Sequence, residues 1–309
     1  MKKIIYIILV FVLYQLDYAN AHQCRDVYSE KNISGNEFEL TEILNRKENP
    51  FDVVRKLRSQ NPSISDNILD DLSSRLESEN VIRIEKLGGG VNVSYKITFE
   101  SGLQAAYKPV NSDRPNQPIR EVVAYRLSKL FGLDIVPPTV MRKISGLAVP
   151  RKLQDVIGSV QLFINTAKPL NKGKSSNGSK ILIRNESEFQ VEDYLSGRRL
   201  RVFDWLINNH DRGSNAGNYL ISDLDGYVIG IDHSVSFVGH DKQARADKVP
   251  FYKEKYLDDP EYYFKYKSVP KEKIKLALDG LNPVRINEFF ERFDKLILDF
   301  KKVIDSTTP

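Results

Sequence analysis

Polar and apolar positions divide the chain into stretches of different character. Lys2 and Lys3 precede an unbroken apolar run from Ile4 to Tyr14, and Ala19-Asn20-Ala21 then places small residues at the −3 and −1 positions of a cleavage site. A basic start, an apolar run and a small-residue site, in that order, predict a secretory signal peptide over 1–21. A membrane span needs about 20 apolar residues, so this run reads as a leader, and no stable span is expected. Residues 22–80 are polar with helical periodicity. Phe51, Val53, Val54 and Leu57 recur at i, i+2, i+3 and i+6, and Ser65 or Asp66 is placed to cap a second helix. This stretch predicts a helical N-terminal extension.

From residue 81 the period changes. Val81–Ile84, Val93–Phe99 and Gln104–Lys108 alternate roughly as strands do, with a turn at Glu100-Ser101-Gly102. A loop rich in Asn, Asp and Pro, 111–118, leads to a helix from Ile119 to about Phe131. Ile119, Val122, Val123, Leu127 and Leu130 form one apolar face, Glu121 lies opposite it, and Gly132 is the stop. Residues 166–187 contain NKGKSSNG and predict a basic, mobile insertion. A helix over Leu200–Ile207 and two strands, Tyr219–Ile221 and Tyr227–Ile231, follow, and 250–309 reads as mostly helical. Strands with one helix, then helices around a short hairpin, predict an α+β chain. A small, mostly β N-lobe and hinge would occupy 81–165 and a larger, mostly helical C-lobe 166–309, with a cleft between them.

Composition narrows this mainly by exclusion. Of 309 residues, 41% are hydrophobic and 28% charged, which is the balance of a globular protein and not of collagen, mucin or a polytopic membrane protein. The net charge of +5 is too small for its length to point to nucleic acid. One cysteine, Cys24, excludes a disulfide scaffold and a structural zinc site within one chain. The residue before it is not small, which argues against a lipoprotein anchor.

Four features could carry chemistry. Gly88, Gly89 and Gly90 stand between two predicted strands, where bare backbone N–H groups can approach a phosphate. No GK[ST] follows, so this is not a Walker loop, and alone it reads as an ordinary hairpin turn. Lys108 ends a strand and could meet phosphate oxygens as a point charge. Glu121, taken alone, reads as a solvated glutamate. The fourth is FDWLINNHDRGSNAGNYLI, in which a helix delivers Asp211 into a polar loop that ends at Asn218, followed by IDHS with Asp232. An aspartate beside a hydroxyl can take or orient its proton, and an Asn with a second Asp can hold a divalent metal. Loop Asp and Asn are usually turn formers. It is the order of parts that speaks against that reading: Gly-rich hairpin, strand lysine, helix glutamate, then Asp, Asn and Asp. His210 and His233 read as loop residues near the site.

With these residues in place, the chain resembles the atypical kinases of the protein-kinase-like fold. These include secretory-pathway kinases of the Golgi casein kinase and four-jointed type, phosphatidylinositol 3-/4-kinases and bacterial relatives. IREVVAYRLSKLFGLDIVPP, 119–138, resembles the secretory-kinase helix and its sequel, which puts Glu121 on the lysine clamp. FDWLINNHDRGSNAGNYLI and IDHSVSF resemble the lipid-kinase pattern. Gly158–Ile164 falls where a hinge strand would meet adenine, which implies Gln161 and Phe163 as nucleotide contacts. The resemblance implies ATP with Mg²⁺ or Mn²⁺, Asp211 as catalytic residue, and Asn218 and Asp232 as metal ligands. Asn218 lies seven residues after Asp211, where protein kinases have five, so Asn215 stays an alternative. Transfer of the γ-phosphate to a protein hydroxyl is the first expectation and a lipid headgroup the second. Transfer of AMP and a non-catalytic scaffold remain as alternatives. The leader implies export, with periplasm, host cell and secretory lumen all open.

Overall fold

Alternation along the strands becomes a sheet with one buried and one half-exposed face. The structure, a computed structural model, describes residues 40–88, 93–174, 180–184, 187–212, 215–238, 256–257 and 259–307. The leader, Cys24, Gly89 and Gly90 lie outside the described residues. Strands β1 (Val81–Leu87), β2 (Ser94–Phe99), β3 (Gln104–Pro109), β4 (Thr139–Ile144) and β5 (Val156–Leu162) form an antiparallel sheet in the order β1-β2-β3-β5-β4. Tyr95, Ile97, Phe99, Ala105, Tyr107 and Val160 turn to the buried face. Ser94, Lys96, Thr98, Gln104, Ala106 and Lys108 turn to the other, which stays half-exposed.

Three helices precede the sheet: α1 (Leu40–Asn45), α2 (Pro50–Arg58) and α3 (Pro62–Ser78). Asn49 caps α2 through the Phe51 N–H, and Asn61 caps α3 through the Ile64 N–H, each followed by Pro at the first helical position. The second cap corrects the expectation of Ser65 or Asp66. Pro62 is pre-set for a first turn, so the helix opens three residues earlier, and Ser65 is buried inside it. Helix α3 packs against β4 and β5, so the extension is part of the body of the fold. Asn49 Nδ2 donates to the Phe163 carbonyl at 3.3 Å and to Asn165 Oδ1 at 3.1 Å. Arg58 grips Asp134 with two bonds, 2.7 and 2.9 Å.

The helix between β3 and β4 is α4 (Gln117–Leu130), and its first turn absorbs Pro118. Beyond β5, the segment expected as a mobile insertion carries four short strands: β6 (Ala167–Pro169), β7 (Asn171–Lys174), β8 (Lys180–Arg184) and β9 (Ser187–Glu188). Its first strand finds a remote partner: β6 pairs with β10 (Tyr219–Ser222), which pairs with β11 (Val228–Gly230), while β7, β8 and β9 pair with one another. Helix α5 (Leu195–Leu206) begins five residues before the predicted Leu200. Gly197 makes this start feasible, because a Cβ there would stand 1.9 Å from the Val191 carbonyl oxygen. Three helices close the C-lobe: α6 (Pro260–Ser268), α7 (Lys271–Ala277) and α8 (Pro283–Thr307). Their aromatics join α4 to the C-lobe core, with Phe131 against Tyr266 at 4.4 Å between ring centroids. Among the described residues no helix is long and apolar enough to cross a membrane.

Candidate active site

Sheet register sets the lysine. Lys108 lies opposite Ser159, and Pro109 opposite Gly158. A Cβ on Gly158 would stand 2.4 Å from the Lys108 carbonyl oxygen, so glycine lets β3 and β5 close up where the lysine leaves the sheet. Lys108 Nζ then donates to Glu121 Oε1 on α4 at 2.6 Å and to Asp232 Oδ1 just after β11 at 2.9 Å. Lysine, helix glutamate and post-strand aspartate thus meet at one ammonium, as their order in the sequence implied. Glu121 is not solvated: it is 2% exposed, and its second oxygen accepts the His233 N–H at 2.9 Å. The side of α4 opposite the apolar stripe therefore faces Lys108.

Electrostatics follow from burial against pairing. Burial pushes the Glu121 carboxyl up from its ordinary range, against the pull of Lys108. Burial acts on Asp232 in the same sense, but Lys108 and the Ser234 hydroxyl, 2.8 Å away, outweigh it and hold this carboxyl well below its usual range. Lys108 loses by desolvation and gains more from its two carboxylates, so it stays charged.

The second half of the site is built by a buried arginine that is not among the sequence candidates. Arg212, 2% exposed, donates to both oxygens of Asp204 on α5. Its Nη1 also holds the main-chain carbonyls of Asn218 and Ile231, and its Nη2 meets His233 Nε2 at 2.7 Å. Burial, then the Arg212 charge, push the His233 imidazole far below its ordinary range, so the ring is neutral and accepts from Arg212. One cation thereby fixes Asn218 and the residue before Asp232. Asn209, bonded to Asp204 at 2.9 Å, supports the same corner and accepts the Asp211 N–H at 3.3 Å.

Asn218 Nδ2 donates to Asp211 Oδ2 at 3.0 Å, while Asn215 spends its side chain on the Gly217 N–H at 3.2 Å. Of the two candidates, Asn218 is the one brought to Asp211. The β10–β11 hairpin sets Asn218 beside the strand that leads to Asp232, with the Ile231 N–H bonded to the Asn218 carbonyl at 3.1 Å. Two carboxylates, Glu121 and Asp232, share the one ammonium of Lys108. An additional cation would be electrostatically welcome, and an amide oxygen and a carboxylate, as Asn218 and Asp232 carry, are ligand types that suit a hard divalent metal.

The stretch expected to meet adenine spends the main chain of 158–163 within the protein. The main chain of 156–162 is spent on the sheet, the Phe163 N–H goes to the Gln104 carbonyl at 2.9 Å, and its own carbonyl goes to Asn49. Gln161 is buried and donates to Thr139 Oγ1 at 2.9 Å. This stretch has side chains, not main-chain groups, left to offer. Among the described residues no heavy atom lies within 4 Å of a Cβ placed on Gly88. A cavity of about 340 Å³ adjoins the clamp, lined by Lys108, Glu121, Arg114, Gln117 and Ser234.

No protein-family model matches the chain. Protein Rv2133c of Mycobacterium tuberculosis is 29% identical over 160 residues, covering 43% of this chain and 54% of that protein. The extracellular serine/threonine protein kinase CeFam20 of Caenorhabditis elegans is 22% identical over 243 residues, covering 56% of this chain and 48% of that kinase. The chain spans about half the length of these curated relatives. Among solved structures, a crystal structure of the Golgi casein kinase matches with a TM-score of 0.50 at 16% identity, covering 79% of this chain and 76% of that one. The chain therefore has the protein-kinase-like fold seen in the Golgi casein kinase, and over part of its length its sequence is similar to that of CeFam20.

Proposed function

We propose that this protein is an exported phosphotransferase that moves the γ-phosphate of ATP to a protein hydroxyl. The observation that carries the reading is the single ammonium of Lys108 held by both Glu121 and Asp232, with the Asp211–Asn218 pair anchored beside it through Arg212. Lys108 would meet the phosphate oxygens, Gly88–Gly90 would close over them, and Gln161 and Phe163 would line the base. Asn218 and Asp232 would hold Mg²⁺ or Mn²⁺, which supplies neutralisation of triphosphate charge when bound. Asp211 would take or orient the proton of the acceptor hydroxyl. The hydroxyl oxygen would bond to the γ-phosphorus as the bond between that phosphorus and the β,γ-bridging oxygen breaks and ADP leaves.

The test incubates the chain with γ-labelled ATP, Mn²⁺ or Mg²⁺, and separate protein and lipid acceptor pools. Label in protein, lost in Asp211→Asn, is the expected result. Label only in lipid replaces the acceptor, and transfer of the AMP portion replaces the reaction. Metal-dependent ATP binding with no label anywhere would make the chain a scaffold. Export has its own test: secreted material should begin at His22 or within a few residues of it, and a chain still starting at Met1 after export rejects the leader.

A further inference from the structure

The half-exposed face of the sheet carries a lysine that the clamp does not use. Lys96 lies opposite Ala106, and Ala106 opposite Gln161, so the three share one face with Lys108, two residues beyond Ala106. Cross-strand register gives Lys96 an acidic neighbour in Glu85. Glu85 is instead bonded to Arg83 at 2.7 Å. The Lys96 ammonium turns the other way and rests over the Phe163 ring, 4.5 Å from its centroid. Among the described residues it has no carboxylate partner. Phe163 is fixed beneath it, with its N–H on Gln104 and its carbonyl on Asn49, so its ring is what it presents.

We propose that Lys96 and Phe163 are the base-recognition pair of this cleft, and that the ammonium makes it take guanine nucleotides at least as tightly as adenine nucleotides. This rests on the nucleoside-triphosphate reading above. With phosphates at Lys108, the base extends along the same face toward Phe163, whose ring gives a purine a stacking surface. An ammonium only donates. Guanine offers it two adjacent acceptors, N7 and O6, whereas adenine sets an N6 donor beside N7. Gln161 has its amide nitrogen on Thr139, which leaves its oxygen as an acceptor for a donor on the base edge. The contact between Lys96 and the ring is a weak one at a half-exposed site, so a base can displace it.

Calorimetric titration of the full chain with Mn²⁺ and three ligands tests this: non-hydrolysable analogues of ATP and GTP, and inorganic tripolyphosphate. The wild type should bind the GTP analogue at least as tightly as the ATP analogue. Lys96→Met should lose about tenfold for the GTP analogue, less for the ATP analogue, and nothing for tripolyphosphate. Lys96→Arg, which keeps a donor, should restore GTP affinity. Phe163→Leu should weaken both nucleotides and spare tripolyphosphate. A wild type that prefers the ATP analogue tenfold, or a Lys96→Met variant with an unchanged ratio, overturns the base assignment while tripolyphosphate binding keeps the phosphotransferase reading alive. A wild type that binds none of the three overturns both.

Discussion

The Arg212 guanidinium donates to both carboxylate oxygens of Asp204, at 2.9 Å from Nε and 3.2 Å from Nη2, and neither side chain is more than 2% exposed. The pair couples the end of α5 to the loop that carries Asp211 and Asn218. Two ions removed from water are tolerable together and costly apart. Asp211 and Asn218 therefore owe their placement to a charge that is buried away from solvent.

Asp204→Ala should strip Arg212 of its counter-ion and lower the unfolding free energy by about 3–5 kcal/mol. The double variant Asp204→Ala, Arg212→Met should lose less than the sum of the two single losses, because neither ion is then left alone. Arg212→Lys should not rescue, since one ammonium cannot reproduce the fork. Denaturant unfolding of the wild type, the two single variants, the double variant and Arg212→Lys measures this, and strictly additive losses would show that the two side chains are not coupled.

Much of the N-lobe was legible because its signals are local. Tyr95, Ile97 and Phe99 alternate with Ser94, Lys96 and Thr98, and that alternation is the burial pattern of β2. Lys108, Glu121, Asp211, Asn218 and Asp232 stand out as candidates by their order along the chain. Arg212 does not, because an Arg in Asp-Arg-Gly looks like a surface turn, and only tertiary contact with Asp204, eight residues back, buries it. The segment 166–187 was read as a loop because it is polar and rich in Gly, Ser and Lys. Its first strand is specified by pairing with Leu220 and Ile221, which no window along the sequence spans. The Lys96–Phe163 contact depends on sheet register in the same way.

Lys108→Met keeps the aliphatic stem within β3 and removes the charge. Glu121 and Asp232 then share a site with no ammonium between them, and triphosphate loses its nearest cation. Metal-dependent ATP affinity should fall by at least about a hundredfold, the scale of a lost charged contact plus the repulsion it had masked. Glu121→Ala should weaken binding in the same direction but by less, because Asp232 still holds the lysine. Titration calorimetry with a non-hydrolysable analogue is the check, and unchanged affinity in both variants would remove the clamp from the site.

The N-terminal helices should behave as part of the domain. Arg58 carries two bonds to Asp134, which is 4% exposed and sits at positive φ just after α4. Arg58→Ala leaves that carboxylate without its cation and should cost about 3 kcal/mol. Asp134→Asn keeps a side chain that tolerates the backbone and should cost less. Thermal unfolding that is indifferent to Arg58→Ala would mean α2 is not anchored where the structure places it.

Asp211 and Asp232 should fail in different ways when replaced, and their surroundings say how. Asp232 stands between Lys108 Nζ and the Ser234 hydroxyl, directly after the rigid β11, with its charge favoured. Such a carboxylate is suited to hold a metal. Asp211 instead accepts from Asn218 Nδ2, so an amide holds its carboxylate where an ammonium holds that of Asp232. Alanine at 211 would release Asn218 as well, so the clean probe is Asp211→Asn, which keeps a carbonyl oxygen for that bond but cannot take a proton. Asp211→Asn should bind the ATP analogue with Mn²⁺ within about threefold of wild type, while transfer falls by about 10²–10⁴-fold. Asp232→Ala should lose metal-dependent affinity itself, and with it transfer. Calorimetry and label transfer on the same preparations separate the two effects. If Asp211→Asn loses the metal-dependent binding and Asp232→Ala keeps it, the roles are reversed. If both retain full transfer, the site does not work as a kinase site.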